Sequence, residues 1–123
     1  MTEHVIINDV GPRDGLQNQA KILSVSERLE LITALRAANV EHIEVGAFVS
    51  PRAVPAMAGA KEIVTSLHGS NGHYSVLIPN ERGYELALQA GAKTMAMVVY
   101  ASDGMAEKNV RMTKQQADDA TLA

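Results

Sequence analysis

The feature that most constrains this chain is a regular alternation of short apolar runs with longer stretches of helical periodicity. Residues 5–10, 42–48, 74–78 and 94–100 read as strands, each rich in Val, Ile, Met or Ala. Between the first two, Ser24 and Glu27 form a capping-box signature. Val25, Leu29, Ile32 and Leu35 then recur at helical spacing, with Glu27, Arg28, Glu30 and Arg36 on the opposite face, which predicts a helix over 25–38. Met57, Ala60, Val64 and Leu67 make one face of a second helix. Asn80 opens a third, with Tyr84, Ala87 and Leu88 inward and Gly91 as its C-terminal cap. Thr113 with Gln116 marks the start of a fourth. One unit recurs every roughly 30 to 35 residues, and β-α alternation of that kind gives a parallel sheet with right-handed crossovers. A faint internal echo agrees. Ala37-Ala38-Asn39-Val40 leads into Ile43-Glu44-Val45 much as Gln89-Ala90-Gly91-Ala92 leads into Met95-Ala96-Met97.

In such folds ligands bind at the C-terminal ends of the strands. The run Asp9-Val10-Gly11-Pro12-Arg13-Asp14-Gly15-Leu16-Gln17-Asn18 stands at that end of the first strand. It offers a guanidinium that can clamp a carboxylate or polarise a carbonyl, a carboxylate suited to Mg²⁺, Mn²⁺ or Zn²⁺, and an amide. The same spacing also fits a loop salt bridge. Glu44 lies within the apolar run Ile43-Glu44-Val45-Gly46-Ala47-Phe48, so it needs a polar pocket or a partner. Pairing with Arg13 would satisfy both groups and fix the guanidinium; a purely structural ion pair would satisfy them equally. The four histidines, His4, His42, His68 and His73, fall at the N-terminal end of the sheet, where they read as surface or turn residues. The stretch Ser102-Asp103-Gly104-Met105-Ala106-Glu107-Lys108-Asn109 reads as a polar loop after the fourth strand.

Composition excludes several other chemistries. The chain has no Cys, so it carries neither a disulfide nor a Cys ligand or nucleophile. One Phe, three Tyr and no Trp give no stacking platform for single-stranded nucleic acid. A net charge of −3 with scattered basic residues fits neither a nucleic-acid nor an anionic-membrane partner. No apolar run approaches the roughly 18 residues of a membrane span, and residues 1–4 resemble no signal peptide, so a cytoplasmic location is expected. At 123 residues the chain is one domain or less. Four strands cannot close a barrel, so residues 1–123 are expected to be either the N-terminal part of a longer protein or a half-barrel that assembles with its own copies.

Gly11-Pro12-Arg13-Asp14-Gly15-Leu16-Gln17-Asn18, Ile43-Glu44, Phe48-Val49-Ser50-Pro51, Val54-Pro55-Ala56-Met57, Pro79-Asn80-x-x-Gly83 and Ala90-Gly91-Ala92 together resemble hydroxymethylglutaryl-CoA lyase over nearly the whole chain. The Arg-Asp…Glu set alone marks the wider superfamily of metal-dependent barrel lyases and synthases; the Phe-Val-Ser-Pro…Val-Pro-x-Met stretch is more specific to the lyase. The resemblance implies an α/β fold, the N-terminal half, about four βα units, of a TIM (β/α)8 barrel with a parallel sheet. It implies cleavage of 3-hydroxy-3-methylglutaryl-CoA to acetyl-CoA and acetoacetate with Mg²⁺ or Mn²⁺. Asp14 would be a metal ligand, Arg13 would bind substrate and stabilise the enolate of the departing acetyl-CoA, Glu44 would orient the site, and Gln17 would line it. The partners expected are an acyl-CoA substrate and further copies of the chain.

The departures matter. The family's two metal-binding histidines, its metal-binding asparagine and its catalytic cysteine belong to a C-terminal half that these 123 residues do not include, so the chain alone is expected to be inactive. Ala47 stands where many members have Ser, and Ala20 where many have Lys, with Lys21 adjacent. Two alternatives stay open: another superfamily enzyme, such as a 2-isopropylmalate synthase-like protein or a hydroxy-oxo-acid aldolase, and a non-catalytic half-barrel that works by self-assembly.

Overall fold

A computed structural model describes residues 2–122. Four strands, β1 (Asn8–Asp9), β2 (His42–Ala47), β3 (His73–Leu77) and β4 (Thr94–Ala96), form one sheet in sequence order, and every neighbouring pair is parallel. The crossovers carry α1 (Val25–Ala37), α2 (Ala60–Ser66) and α3 (Glu81–Ala90); α4 (Asp103–Val110) and α5 (Lys114–Leu122) follow β4. Helices α1 to α3 cover one face of the sheet. Ile32, Ile43, Val45, Ile63, Val76 and Ala87 meet there in the main core.

The helix boundaries have chemical causes. Ser24 accepts from the Glu27 N–H at 3.1 Å while the Glu27 carboxylate accepts from the Ser24 N–H at 2.8 Å, so two otherwise orphaned donors are satisfied. Asn80 caps α3 through the Gly83 N–H at 2.9 Å. The internal echo is a shared helix ending. Asn39 and Gly91 both adopt positive φ (65° and 88°), and the Val40 and Ala92 N–H groups reach back five residues to the Leu35 and Ala87 carbonyls at 3.1 and 3.0 Å. That is the left-handed ending that lets a helix stop and turn at once into a strand. The Thr113–Gln116 signature is also a reciprocal cap, and it opens α5.

Several expectations need correction. The first strand pairs with β2 only at Asn8 and Asp9, and Val5, Ile6 and Ile7 are exposed. Apolar character marks residues that can be buried, but β1 has a single neighbouring strand, and nothing among the described residues covers these three. For the same reason β4 ends at Ala96, and Val98 and Val99 are exposed. Tyr84 and Leu88 point outward from α3; Gly83, Ala87 and Ala90 form its buried face, a small-residue stripe that lets the helix approach the sheet closely. The stretch expected as a loop after β4 is helix α4, capped by Ser102 through the Met105 N–H at 3.3 Å. Arg28, assigned to the outer face of α1, is 1% exposed.

One irregularity bears on the site. The β2–β3 register shifts between Glu44 and Gly46, so that Glu44 pairs with Ser75 and Gly46 with Val76. This β-bulge resets the alternation of the strand. Val45 belongs to the helix-covered core, and a Cβ at Gly46 would point the same way, 3.2 Å from Arg28 Nη2 and 3.8 Å from Ala60 Cβ. Ala47 packs instead with Ala56 and Met57 in a second, smaller cluster flanked by Leu16 and Leu77.

Candidate active site

The site begins at a single π-helical turn, Gly11–Gly15, directly after β1. Asp9 Oδ1 accepts from the Gly11 N–H at 2.8 Å, and a Cβ at Gly11 would lie 2.9 Å from that oxygen, so a side chain there would push the Asp9 carboxylate aside. Pro12 is buried and pre-sets φ at the first turn. The Val10 carbonyl then collects the N–H groups of Arg13, Asp14 and Gly15 at 3.1, 2.7 and 3.4 Å. Winding the chain round one carbonyl projects Arg13, Asp14 and Gln17 from a turn that packs against β2.

The structure brings all four sequence-predicted residues together. Arg13 Nε donates to Glu44 Oε1 at 2.5 Å. Arg13 Nη1 donates to Asp14 Oδ1 at 3.1 Å and reaches Gln17 Oε1 at 3.5 Å. Nη2 has no partner among the described residues. The side chains of Arg13 and Glu44 are 16% and 7% exposed, whereas that of Asp14 is 61% exposed. Glu44 thus serves as a buried anchor, because a carboxylate taken out of water needs a cation or several donors. The guanidinium is held at Nε and Nη1, and Nη2 is left for a further acceptor. This is the arrangement of a pre-oriented cation, able to bind a carboxylate or a developing oxyanion without reorganising.

Asp14 fits one ligand position of a divalent ion: its carboxylate is mostly exposed, and only Oδ1 is engaged. Among the described residues no group of three or more His, Cys, Asp or Glu side chains could hold a metal. The histidines lie elsewhere. His42 and His73 are the first residues of β2 and β3, stacked with ring centroids 4.4 Å apart, and His68 Nε2 sits 3.2 Å from the Ala90 carbonyl. Lys21 does not reach the turn; its Nζ pairs with Glu27 at 3.3 Å on the surface.

Sequence reading missed Arg28. Its Nη1 donates to the Ala58 carbonyl at 2.6 Å, while Nε and Nη2 have no partner among the described residues. Burial pushes its pKa below the ordinary arginine value. It ties α1 to the segment that follows β2, on the far side of that strand from Glu44. The available signal was Gly46, whose missing side chain leaves the space the guanidinium occupies.

Residues 4–122 match the HMGL-like family. The chain is 45% identical over 107 residues to a hydroxymethylglutaryl-CoA lyase of Pseudomonas mevalonii, covering 86% of this chain and 36% of that protein. It is 43% identical over 127 residues to an (R)-citramalyl-CoA lyase of Chloroflexus aurantiacus, covering 94% and 40%. Its fold matches the HMG-CoA lyase structure of Brucella melitensis with a TM-score of 0.90 at 35% identity, covering 98% of this chain and 43% of that one. The chain therefore spans about two-fifths of the length of the proteins it matches.

Proposed function

The chain belongs to the HMGL-like family, and from that premise we propose that residues 1–123 are the N-terminal half of a (β/α)8 barrel and carry part of the centre of a carbon–carbon lyase. The substrate proposed is 3-hydroxy-3-methylglutaryl-CoA, cleaved to acetyl-CoA and acetoacetate; a cytoplasmic location and assembly with further copies belong to the same proposal. In this cleavage the 3-hydroxyl gives up its proton and becomes a ketone, the C2–C3 bond breaks, and its electron pair passes to C2 and the thioester oxygen as an enolate. Protonation at C2 then completes acetyl-CoA.

The observation that carries the proposal is the anchored guanidinium of Arg13, with Glu44 on Nε and Nη2 free of partners among the described residues. A fixed cation beside the thioester oxygen stabilises charge that appears only as the bond breaks, which is where stabilisation accelerates a reaction. Glu44 holds the guanidinium, and Gln17 lies beside it. Asp14 would supply one ligand to Mg²⁺ or Mn²⁺, and such an ion, when bound, polarises substrate oxygens.

The test is an acyl-CoA cleavage assay on the complete reading frame containing these residues, with Mg²⁺ or Mn²⁺. We expect acetoacetate from 3-hydroxy-3-methylglutaryl-CoA, and a loss of about 10²-fold or more in kcat for Arg13→Gln. No cleavage, or an Arg13→Gln variant within a few-fold of the parent, overturns the proposal. The (R)-citramalyl-CoA lyase is nearly as similar as the hydroxymethylglutaryl-CoA lyase, so citramalyl-CoA belongs in the same panel; preference for it would redirect the substrate while keeping the chemistry. The 123-residue chain alone should show no turnover and only weak Mn²⁺ binding, lost in Asp14→Asn. Tight stoichiometric Mn²⁺ binding would overturn the single-ligand reading.

A further inference from the structure

A second cavity opens at the other end of the strands. It lies between α2, α3 and the helix-covered face of the sheet, with a volume of about 210 Å³. Its floor is Val45, Val64 and Val76, all in or against the main core. Its rim carries His68, His73 and Lys93, at the starts of β3 and β4 and the end of α2. Among the described residues no Asp or Glu lines it, although acidic residues outnumber Lys and Arg in the chain 14 to 11. We propose that this cavity binds a small carboxylate with a short aliphatic tail, the carboxylate on the His68–His73–Lys93 rim and the tail on the valine floor.

The rim is built rather than incidental. His68 Nε2 rests on the Ala90 carbonyl at 3.2 Å, and a Cβ on Gly91 would lie 2.5 Å from that ring, so the left-handed glycine that ends α3 also makes room for the imidazole. His73 is held by its stack on His42. Ser70 Oγ and the Tyr74 hydroxyl, 2.8 Å apart, form a further stretch of wall. Lys93 has no carboxylate partner among the described residues and is free to meet an anion.

Size and chemistry together select the ligand. The volume equals roughly seven waters, which suits a molecule of about six non-hydrogen atoms and falls below the range of drug-sized ligands. An apolar floor gains from covering a hydrocarbon tail, and a rim of one ammonium and two imidazoles gains from a carboxylate. A bare phosphate uses only the rim, and an alcohol only the floor. The cavity is also separate from the Arg13 turn, which follows the end of β1.

Butanoate, inorganic phosphate and butan-1-ol, titrated into the ¹⁵N-labelled chain and followed by NMR, test this. Butanoate should give saturable shifts at the Gly69, Ser70, Gly72 and Lys93 amides with a Kd in the millimolar range. Phosphate and butan-1-ol should bind about tenfold more weakly, and Lys93→Gln, a surface change, should weaken butanoate about tenfold. Val64→Phe, which fills the floor, should abolish the shifts. In Arg13→Gln they should persist, which separates this cavity from the proposed lyase centre. Shifts that do not saturate, that centre on residues 11–17, that are equal for butan-1-ol, or that are unaltered in Lys93→Gln overturn the proposal.

Discussion

Two arginines lie on opposite sides of strand β2, and they are buried in opposite ways. Arg13, on the inner side, has a carboxylate on Nε, a second carboxylate and an amide near Nη1, and an unused Nη2. Arg28, on the helix side, is more deeply buried and has a single carbonyl, with two of its nitrogens unpartnered among the described residues. Arg13 keeps its charge neutralised by a neighbour while presenting donors outward, as a group that must meet an anion would. Arg28 is surrounded by the apolar core and the Gly46 gap, and its burial pushes its pKa down. The same side chain therefore acts as a charge on one side of the strand and as a tether on the other. Burial alone does not distinguish the roles; the partners do.

The largest expected effect breaks the inner side. Glu44→Ala should cost about 3 kcal/mol in urea unfolding, because it strands a mostly buried guanidinium. A loss below about 1 kcal/mol would mean that Asp14 and Gln17 suffice, and the contrast between the two arginines would fail. On the outer side, Arg28→Ala should cost about 2 to 3 kcal/mol through the cavity and the orphaned Ala58 carbonyl. Arg28→Met should stay within about 1 kcal/mol, since a buried charge can be replaced by an apolar side chain of similar length. If Met is as damaging as Ala, the charge of Arg28 matters and the tether reading is wrong. Gly46→Ala should cost about 1 to 2 kcal/mol by crowding Arg28, and combining it with Arg28→Met should recover part of that loss.

The smallest effect lies away from both arginines and sets the scale for surface contacts. Ser24→Ala should lower stability by about 1 kcal/mol. The Ser24 backbone N–H, and then Lys21, hold the Glu27 carboxyl below its usual pKa. A lowered folded-state value means that the stabilisation is fully present above the unfolded-state pKa and is lost as pH falls through the folded-state value. The stability gap between the parent and Glu27→Gln should therefore close on acidification. A gap that widens in acid would contradict this.

Much of the fold was legible because strands, helices and caps are local. The Ser24–Glu27 box, the Asn80 cap and the paired Asn39 and Gly91 endings are each written within a few residues. The Arg13–Glu44 pair was legible because a glutamate inside an apolar run demands a cation, and the Arg-Asp turn offered the nearest one. Arg28 was not, since helical periodicity sends any charged residue outward, and only the absent side chain of a residue 18 positions later reveals the space for it. Helix α4 was missed because Ser102-Asp103-Gly104 suits a turn as well as a cap. The exposure of Val5, Ile6 and Ile7 was not legible, because apolar sequence does not say which face finds a neighbour.

The bulge at Val45 has one more consequence. Strand β2 is a phase-changer: counted from Ile43, its faces run out, in, out, out, in, out, so Glu44 and Ala47 share a face at a spacing of three. Substitution tolerance along this strand should follow that broken rhythm rather than an even beat of two. Were the strand even from Ile43 to Phe48 with no residue removed, Ala47 would turn toward the helices and Phe48 would come round to the side of Glu44; deleting one residue at the bulge would restore the even beat and leave both where they are. The bulge thus decides which side chains the upper half of β2 presents beside Glu44.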